Sequence, residues 1–287
     1  LRESLRQRAC GFAMESGNRV TKMAIRAALI DLSGTLHIGS KAVSGAQVAL
    51  KRLRESGVKV AFVTNTTKDS KRALYGKLKA MDFAIDKGEI WSSLEAAKTC
   101  ILEQKLRPML LLSDSALEDF KDIDTQDPNS VLVGLAPSKF DYAQLNSAFR
   151  LLMEKRGEAK LIAIHKGRYM QKSDGRLSLG PGGFVSALEY ASGVEATIIG
   201  KPESSFFEKA LQRLDAKAEE AVMIGDDVRD DVGGAQGCGL NGILVKTGKY
   251  REGDESRHGV KPWYLAKDFP AAVDAILREN GVSDQRH

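Results

Sequence analysis

The sequence is short of cysteine, of long apolar runs and of any internal repeat or low-complexity tract. Its three cysteines in 287 residues, Cys10, Cys100 and Cys238, are odd in number and far apart. That argues against a disulfide framework and against a CxxC-type zinc site, and points to a reducing compartment, taken as the cytoplasm. No apolar run approaches the roughly 20 residues that cross a bilayer, and the first residues lack the apolar middle of a secretory signal, so no membrane partner is expected. The glycines at 180, 182 and 183 match neither GxGxxG nor a P-loop, which argues against a dinucleotide site. An excess of one charge is also missing. The formal net charge is only +5, and the densest basic segment, Lys68 to Lys79, reads as a solvated helix face rather than a nucleic-acid stripe. Small anionic substrates remain compatible with it.

With 43% hydrophobic residues, the chain can bury a substantial core as one large or two medium domains. Residues 1–23 carry Arg2, Arg6, Arg8, Arg19 and Lys22 against Glu3 and Glu15 without a sustained hydrophobic period. They read as a flexible N-terminal extension. An organelle-targeting peptide is the alternative, and the two acids and poor apolar face weigh against it.

From Ala27 the chain alternates strand-like apolar runs with amphipathic helices. The run Ala28-Leu29-Ile30 stops at Asp31, and Ser33-Gly34 follows; continuous apolar character predicts a strand covered on both faces. By itself Asp31 suits a turn cap better than a nucleophile. Ser44 and Gln47 stand at capping-box spacing before a helix carrying Leu50 and Leu53, which Gly57 would end. Val58 to Val63 predicts a second strand ending in Thr64-Asn65-Thr66-Thr67, then a lysine-rich helix to about Ala80. This β-α-β order predicts a parallel sheet whose ligands sit outside the carboxyl ends of the strands.

A different rhythm runs from residue 100 to 192. Short runs at Met109–Leu112, Val131–Leu135 and Leu161–Ile164 and a helix from Tyr142 to Met153 predict an inserted α/β subdomain, with Leu179 to Phe184 as a turn holding side chains at a lid. The first alternation then resumes with the apolar run Ala196 to Ile199, a break at Gly200-Lys201-Pro202, a helix from Ser204 to Leu214, a strand from Ala221 to Gly225, a strand from Gly242 to Val245 and a helix near Ala271 to Arg278. The fold class is therefore α/β, with residues 24–99 and 193–287 forming the main domain.

Four strand ends carry polar groups: Asp31, Thr64 with Asn65, Lys201, and the cluster Asp226 to Asp231. Each alone has an ordinary explanation as a cap, a turn or a solvated charge. Together they supply hard oxygen ligands for Mg²⁺, hydroxyl and amide groups for phosphate, and one fixed cation, a set suited to phosphoryl transfer. His165 reads as a structural residue more readily than a substrate contact. Cys238, Trp91 and Trp263 read as packing residues.

In order and spacing these four segments resemble the motifs of the haloacid dehalogenase-like hydrolase superfamily, in the branch with a large cap inserted between the second and third motifs. The resemblance covers nearly the whole chain after Ile25. It implies a Rossmann-like parallel sheet with helices on both faces and residues 100–192 as the α/β cap. It also implies Mg²⁺, a small phosphorylated substrate, a homodimer, and an aspartyl-phosphate mechanism. Asp31 matches the nucleophile, Thr64 the hydroxyl residue, Lys201 the third-motif lysine, and Asp226 with Asp231 the acidic motif. Mg²⁺ would be held by Asp31, the Ser33 carbonyl and Asp226, with Asp231 supporting that shell and Asp227 and Asp230 as neighbours. Thr64 and Asn65 would grip phosphoryl oxygens.

One position departs from the pattern. Most phosphatases of the superfamily have an aspartate where this chain has Ser33, and general acid–base help is typically worth roughly 10²–10⁴-fold. Leaving groups that need less assistance, as in phosphohistidine- or phospholysine-like phosphoramidates or in pyrophosphate, are then favoured. The alternative is a catalytically weak phosphate- or phosphoprotein-binding scaffold.

Overall fold

The computed structural model describes residues 24–155, 157–171 and 176–282; the extension expected at residues 1–23 lies outside them. In chain order the strands of its two parallel sheets are β1 (Ala27–Asp31), β2 (Lys59–Thr64), β3 (Ile90–Ser92), β4 (Pro108–Leu111), β5 (Ser130–Val133), β6 (Lys160–Ala163), β7 (Ala196–Ile198), β8 (Ala221–Gly225), β9 (Asn241–Val245) and β10 (Tyr264–Ala266). The longer helices are α1 (Ala46–Glu55), α2 (Lys71–Ala80), α3 (Ser93–Glu103), α4 (Tyr142–Glu154), α5 (Gly182–Ser192), α6 (Ser204–Leu214) and α7 (Phe269–Glu279). Six strands lie in the order β10-β9-β8-β1-β2-β3 and four in the order β7-β6-β5-β4.

The first sheet is buried on both faces because its side chains alternate between two apolar clusters. Ala28 and Ile30 of β1 meet Leu53 of α1, Leu74 of α2 and Ile276 of α7 on one face. Ala27 and Leu29 meet Leu94 of α3 and Phe206 of α6 on the other. This is why β1 reads as an unbroken apolar run. Burying each such Leu, Ile or Phe side chain contributes about 1.5–3 kcal/mol. The second sheet packs one face under α4 and α5 through Val131, Leu151 and Val185. Its other face, through Leu132 and Ile162, joins the cluster that holds Leu29 and Val63 of the first sheet. The architecture is thus a Rossmann-like parallel sheet with helices on both faces, carrying an inserted α/β cap subdomain.

Several local expectations change. Helix α1 starts from Gly45 in the left-handed conformation and has no side-chain cap. The Ser44–Gln47 capping box does not form, and Gln47 instead donates Nε2–H to the Met81 carbonyl at 2.9 Å. Ala196–Ile198, read as the resumed main alternation, pairs with Lys160–Ala163 and forms an edge of the second sheet. Leu177–Leu179 pairs antiparallel with Tyr169–Gln171, and Gly182 already belongs to α5, so the glycine stretch is a turn from strand to helix.

Candidate active site

Strand β1 lies between β2 and β8 in a level register, with Ile30 paired to Phe62 on one side and to Ile224 on the other. The chain leaves β1 toward β2 and β3 and later re-enters on the opposite side at β8, so the strand order reverses at β1. Crevices open at such reversals beyond the carboxyl ends. Asp31 ends β1, Thr64 ends β2 and Asp226 follows β8, so all three reach one rim.

Lys201 fastens the rim together. Its ammonium donates to Asp31 Oδ1 and to Asp231 Oδ1, each at 2.6 Å, and its side chain is only 3% exposed. Burying an ammonium costs on the order of several kcal/mol, which its two carboxylate partners offset to hold it charged. Burial works against the charge, but Asp231 and Asp31 raise the Lys201 pKa above the ordinary lysine value. Burial likewise pushes Asp226 up to about 7, helped by the Asp31 charge. It pushes Asp231 up to about 8, against the pull of Lys201.

Asn65 also supports Lys201. Its Oδ1 accepts from the Lys201 N–H at 2.9 Å and its Nδ2–H donates to the Lys201 carbonyl at 2.8 Å. The side chain thus orients Lys201 with one N–H and its oxygen, and the second Nδ2–H is the donor that would remain for a phosphoryl oxygen. Thr64 is buried and its Oγ1 accepts from the Thr66 N–H at 3.2 Å. Ser33 is exposed at the rim, bridged through its main chain to His37.

Asp31, Asp226 and Asp231 bring one carboxylate oxygen each within 4.8 Å of one another. Asp231 has both oxygens committed, one to Lys201 and one to the Asp227 N–H at 3.0 Å. Asp226 uses Oδ2 to accept from the Lys249 N–H at 2.6 Å, while its Oδ1 is buried without a partner. A buried carboxylate oxygen facing another carboxylate is costly unless a cation satisfies it. The donor set is all oxygen, which fits a hard dication such as Mg²⁺. Asp227 is held below the usual carboxylate range: burial opposes the charge, but the Lys249 ammonium and the Arg229 and Asp230 N–H groups outweigh it.

Thr247, Gly248 and Lys249, which follow β9, escape the sequence reading although they stand at the same rim. Thr247 Oγ1 donates to the Gly34 carbonyl. Gly34 and Gly248 press on Asp226 from two sides, and a Cβ on either would sit 2.1 Å from Asp226 Oδ2. Both have positive φ, +97° and +57°, so glycine is required twice over. The usable signal is position: the apolar strand ending at Val245 gives way at once to Lys246, Thr247, Gly248 and Lys249. His165 follows β6 with Nδ1 accepting from the Gly167 N–H at 3.2 Å, and burial followed by the Lys249 charge lowers its pKa to about 4. Trp91 donates Nε1–H to the Phe206 carbonyl within the core, and Cys238 contacts the Gly234 carbonyl.

Fold and site together define an α/β protein with a buried carboxylate–lysine centre at the carboxyl ends of a parallel sheet. Family models for a haloacid dehalogenase-like hydrolase match residues 28–126 and, for the HAD-hydrolase-like group, residues 198–272. The chain is 56% identical over 258 residues to haloacid dehalogenase-like hydrolase domain-containing protein 2 of Bos taurus, covering 90% of this chain and 98% of the relative. It is 41% identical to phospholysine phosphohistidine inorganic pyrophosphate phosphatase of Rattus norvegicus, covering 88% and 95%. The crystal structure of 4-nitrophenylphosphatase from Thermotoga maritima superposes with a TM-score of 0.81 at 24% identity, covering 89% of this chain and 98% of that one. The chain belongs to the haloacid dehalogenase-like hydrolase family.

Proposed function

We propose that the chain is a cytoplasmic, Mg²⁺-dependent phosphatase that forms an aspartyl phosphate on Asp31 and cleaves a phosphoramidate or pyrophosphate bond in a small phosphorylated compound. The observation that carries this reading is the buried Lys201 ammonium between Asp31 and Asp231, beside the unpaired Oδ1 of Asp226. A merely structural ion pair has no use for a third carboxylate left unsatisfied.

Asp31 attacks phosphorus and the bond to the leaving group breaks on the opposite side. Lys201 holds the Asp31 carboxylate in place and offsets charge on the transferring group, and Asn65 fixes Lys201 through its main chain. Thr64 offers its hydroxyl to a phosphoryl oxygen. Asp31, the Ser33 carbonyl and Asp226 would hold Mg²⁺, which when bound neutralises phosphoryl oxygens, and Asp231 supports that set from behind. Water then hydrolyses the aspartyl phosphate. Ser33 is a poor proton donor, so substrates with undemanding leaving groups suit this site; the name of the 41% identical relative supports the same class. The second sheet, β7 included, shields the site as the cap. Exposed Tyr169 and Leu179 on the antiparallel pair and Tyr190 on α5 support a contact between two copies of the chain. Free Cys100 and Cys238 agree with a reducing compartment, and among the described residues no helix is long and apolar enough to cross a membrane.

The absent acid at Ser33 also favours a second reading, a scaffold that binds phosphate groups without turnover. The test is phosphate release with Mg²⁺ from phosphohistidine, phospholysine, pyrophosphate and sugar phosphates, by wild type and Asp31→Asn. Turnover by wild type that Asp31→Asn abolishes is expected. Full turnover by the variant overturns the covalent mechanism, and binding without release by wild type selects the scaffold.

A further inference from the structure

We propose that Thr67 is a positioning residue: its hydroxyl ties the loop that carries Thr64 and Asn65 to the cap, so the grip on the phosphoryl group depends on a contact made away from the rim. This rests on the phosphatase reading above and adds a residue to its machinery.

Residues 65–70, which join β2 to α2, do not hold their own shape. Among the described residues no backbone–backbone hydrogen bond joins two of them, so their conformation comes from partners found elsewhere. Thr67 is buried, and its Oγ1 accepts from the Leu135 N–H at 3.1 Å. Ser113 Oγ lies 3.3 Å from the carbonyl oxygens of both Thr67 and Lys68 and donates its one proton between them. Leu135 follows β5 and Ser113 follows β4, so both partners belong to the cap. Gly134 brings the two segments close, since a Cβ there would touch Thr67 Cβ at 3.5 Å. The next turn is held in the same way: the Ser70 N–H donates to Ser115 Oγ at 3.1 Å and the Lys71 N–H to Asp119 Oδ2 at 2.8 Å.

Thr67 is the point through which that hold reaches the site. The Thr66 N–H donates to Thr64 Oγ1 at 3.2 Å, which leaves the Thr64 O–H as the donor for a phosphoryl oxygen. Thr66 is joined directly to Thr67, so fixing Thr67 fixes the direction of that O–H. Asn65 is closed in by the cap as well. A Cβ on Gly200 would sit 2.3 Å from Asn65 Oδ1, and the Gly200 N–H donates to the carbonyl of Ile164, which follows β6, at 2.8 Å.

The chemistry gives this tie its value. Phosphoryl transfer is helped by donors that already stand in place as charge spreads over the equatorial oxygens. Misplacing such a group by about 1 Å can cost roughly 10²-fold in rate. A buried Leu135 N–H left without its acceptor is costly, so the loop has one favoured seating and Thr67 defines it. Valine differs from threonine through the hydroxyl, so it removes the tie while keeping the branched shape. Serine keeps the hydroxyl.

The test compares full-length wild type, Thr67→Val and Thr67→Ser with Mg²⁺ on pyrophosphate, at a temperature where urea titration shows all three folded. In Thr67→Val kcat should fall about 10–100-fold with KM changed far less, and Thr67→Ser should recover most of the loss. A merely structural Thr67 would lower the urea midpoint and leave kcat within about twofold of wild type. That result, or a serine variant as slow as the valine one, overturns the inference. Calorimetry with orthovanadate and Mg²⁺ gives a readout independent of turnover, because five-coordinate vanadate mimics the transferring group. Its affinity should fall at least about tenfold in Thr67→Val and return in Thr67→Ser; equal affinity in all three overturns the inference. Should Thr67→Val not fold, Ser113→Ala takes its place, since it frees the Thr67 and Lys68 carbonyls. Its vanadate affinity should fall about two- to tenfold, the worth of one ordinary hydrogen bond, and no loss overturns the inference. If wild type binds vanadate but hydrolyses no phosphorylated compound, the phosphatase reading fails while the binding comparison still decides the role of Thr67. If wild type binds no vanadate, Thr67 positions nothing and the inference falls.

Discussion

Ser33 stands where proton transfer to the leaving group would be expected, and it is exposed at the rim beside the buried Asp31. A hydroxyl there neither donates nor accepts a proton readily near neutral pH, so on the proposed reading the chain would have the charge-stabilising half of a phosphatase site without its acid. Replacing Ser33 by Asp should restore that half. Hydrolysis of 4-nitrophenyl phosphate, followed by absorbance, should rise at least about tenfold in Ser33→Asp, the low end of what general acid–base help supplies. A rate indistinguishable from wild type would show that the missing acid does not limit this enzyme. Asn65 teaches a related point: a polar residue at a strand end was legible as part of the site, yet its partner was not. The amide faces Lys201, 136 residues away, and no local pattern announces that.

Among the elements, the turn after β1 and the loop after β9 shape the acid cluster by what they leave out. Gly34 combines φ of +97° with a Cβ position 2.1 Å from Asp226 Oδ2, whereas Gly39 has φ of +59° and open space around it. Gly34→Ala should therefore cost about 1–3 kcal/mol of stability from backbone strain and also displace Asp226. Its Mg²⁺ affinity, measured by calorimetry, should fall by roughly 10–100-fold, the usual consequence of disturbing the support of a metal ligand. Gly39→Ala should cost only backbone strain, about 1–2 kcal/mol in denaturant titration, and leave Mg²⁺ affinity intact. Element reading from sequence worked where runs were long: α6 and β8 match their expected bounds. It passed over β3 and β10, three residues each, because so short a run shows no period.

For the whole molecule, burial of the acids couples stability to pH. Without a cation, Asp226 and Asp231 titrate near 7 and 8 in the fold, against 3.8 for an ordinary aspartate. A raised acid pKa contributes stability that is present below the unfolded value and lost as pH rises through the folded one. His165, lowered from 6.5 to about 4, works in the opposite sense and only below about 6.5. In chelator, the urea midpoint should therefore fall as pH rises from 6.5 to 8. Added Mg²⁺ should flatten that fall, because a bound dication favours the ionised carboxylates. A midpoint that stays level across this window in chelator would contradict the burial of these acids.

The alternation of buried strands with amphipathic helices is legible in the chain, as is the row of polar groups at strand ends that makes Asp31, Thr64, Lys201 and Asp226 candidates. These are local facts, since a strand covered on both faces must be continuously apolar and must become polar where it reaches the rim. The tertiary structure alone decided the rest: that Ala196–Ile198 joins the second sheet, that Asn65 serves Lys201, and that Lys249 rests against Asp226. Each of these joins residues far apart in the chain. Such pairings are selected by how the sheets and loops pack, and a short segment has the same composition whichever partner it finds.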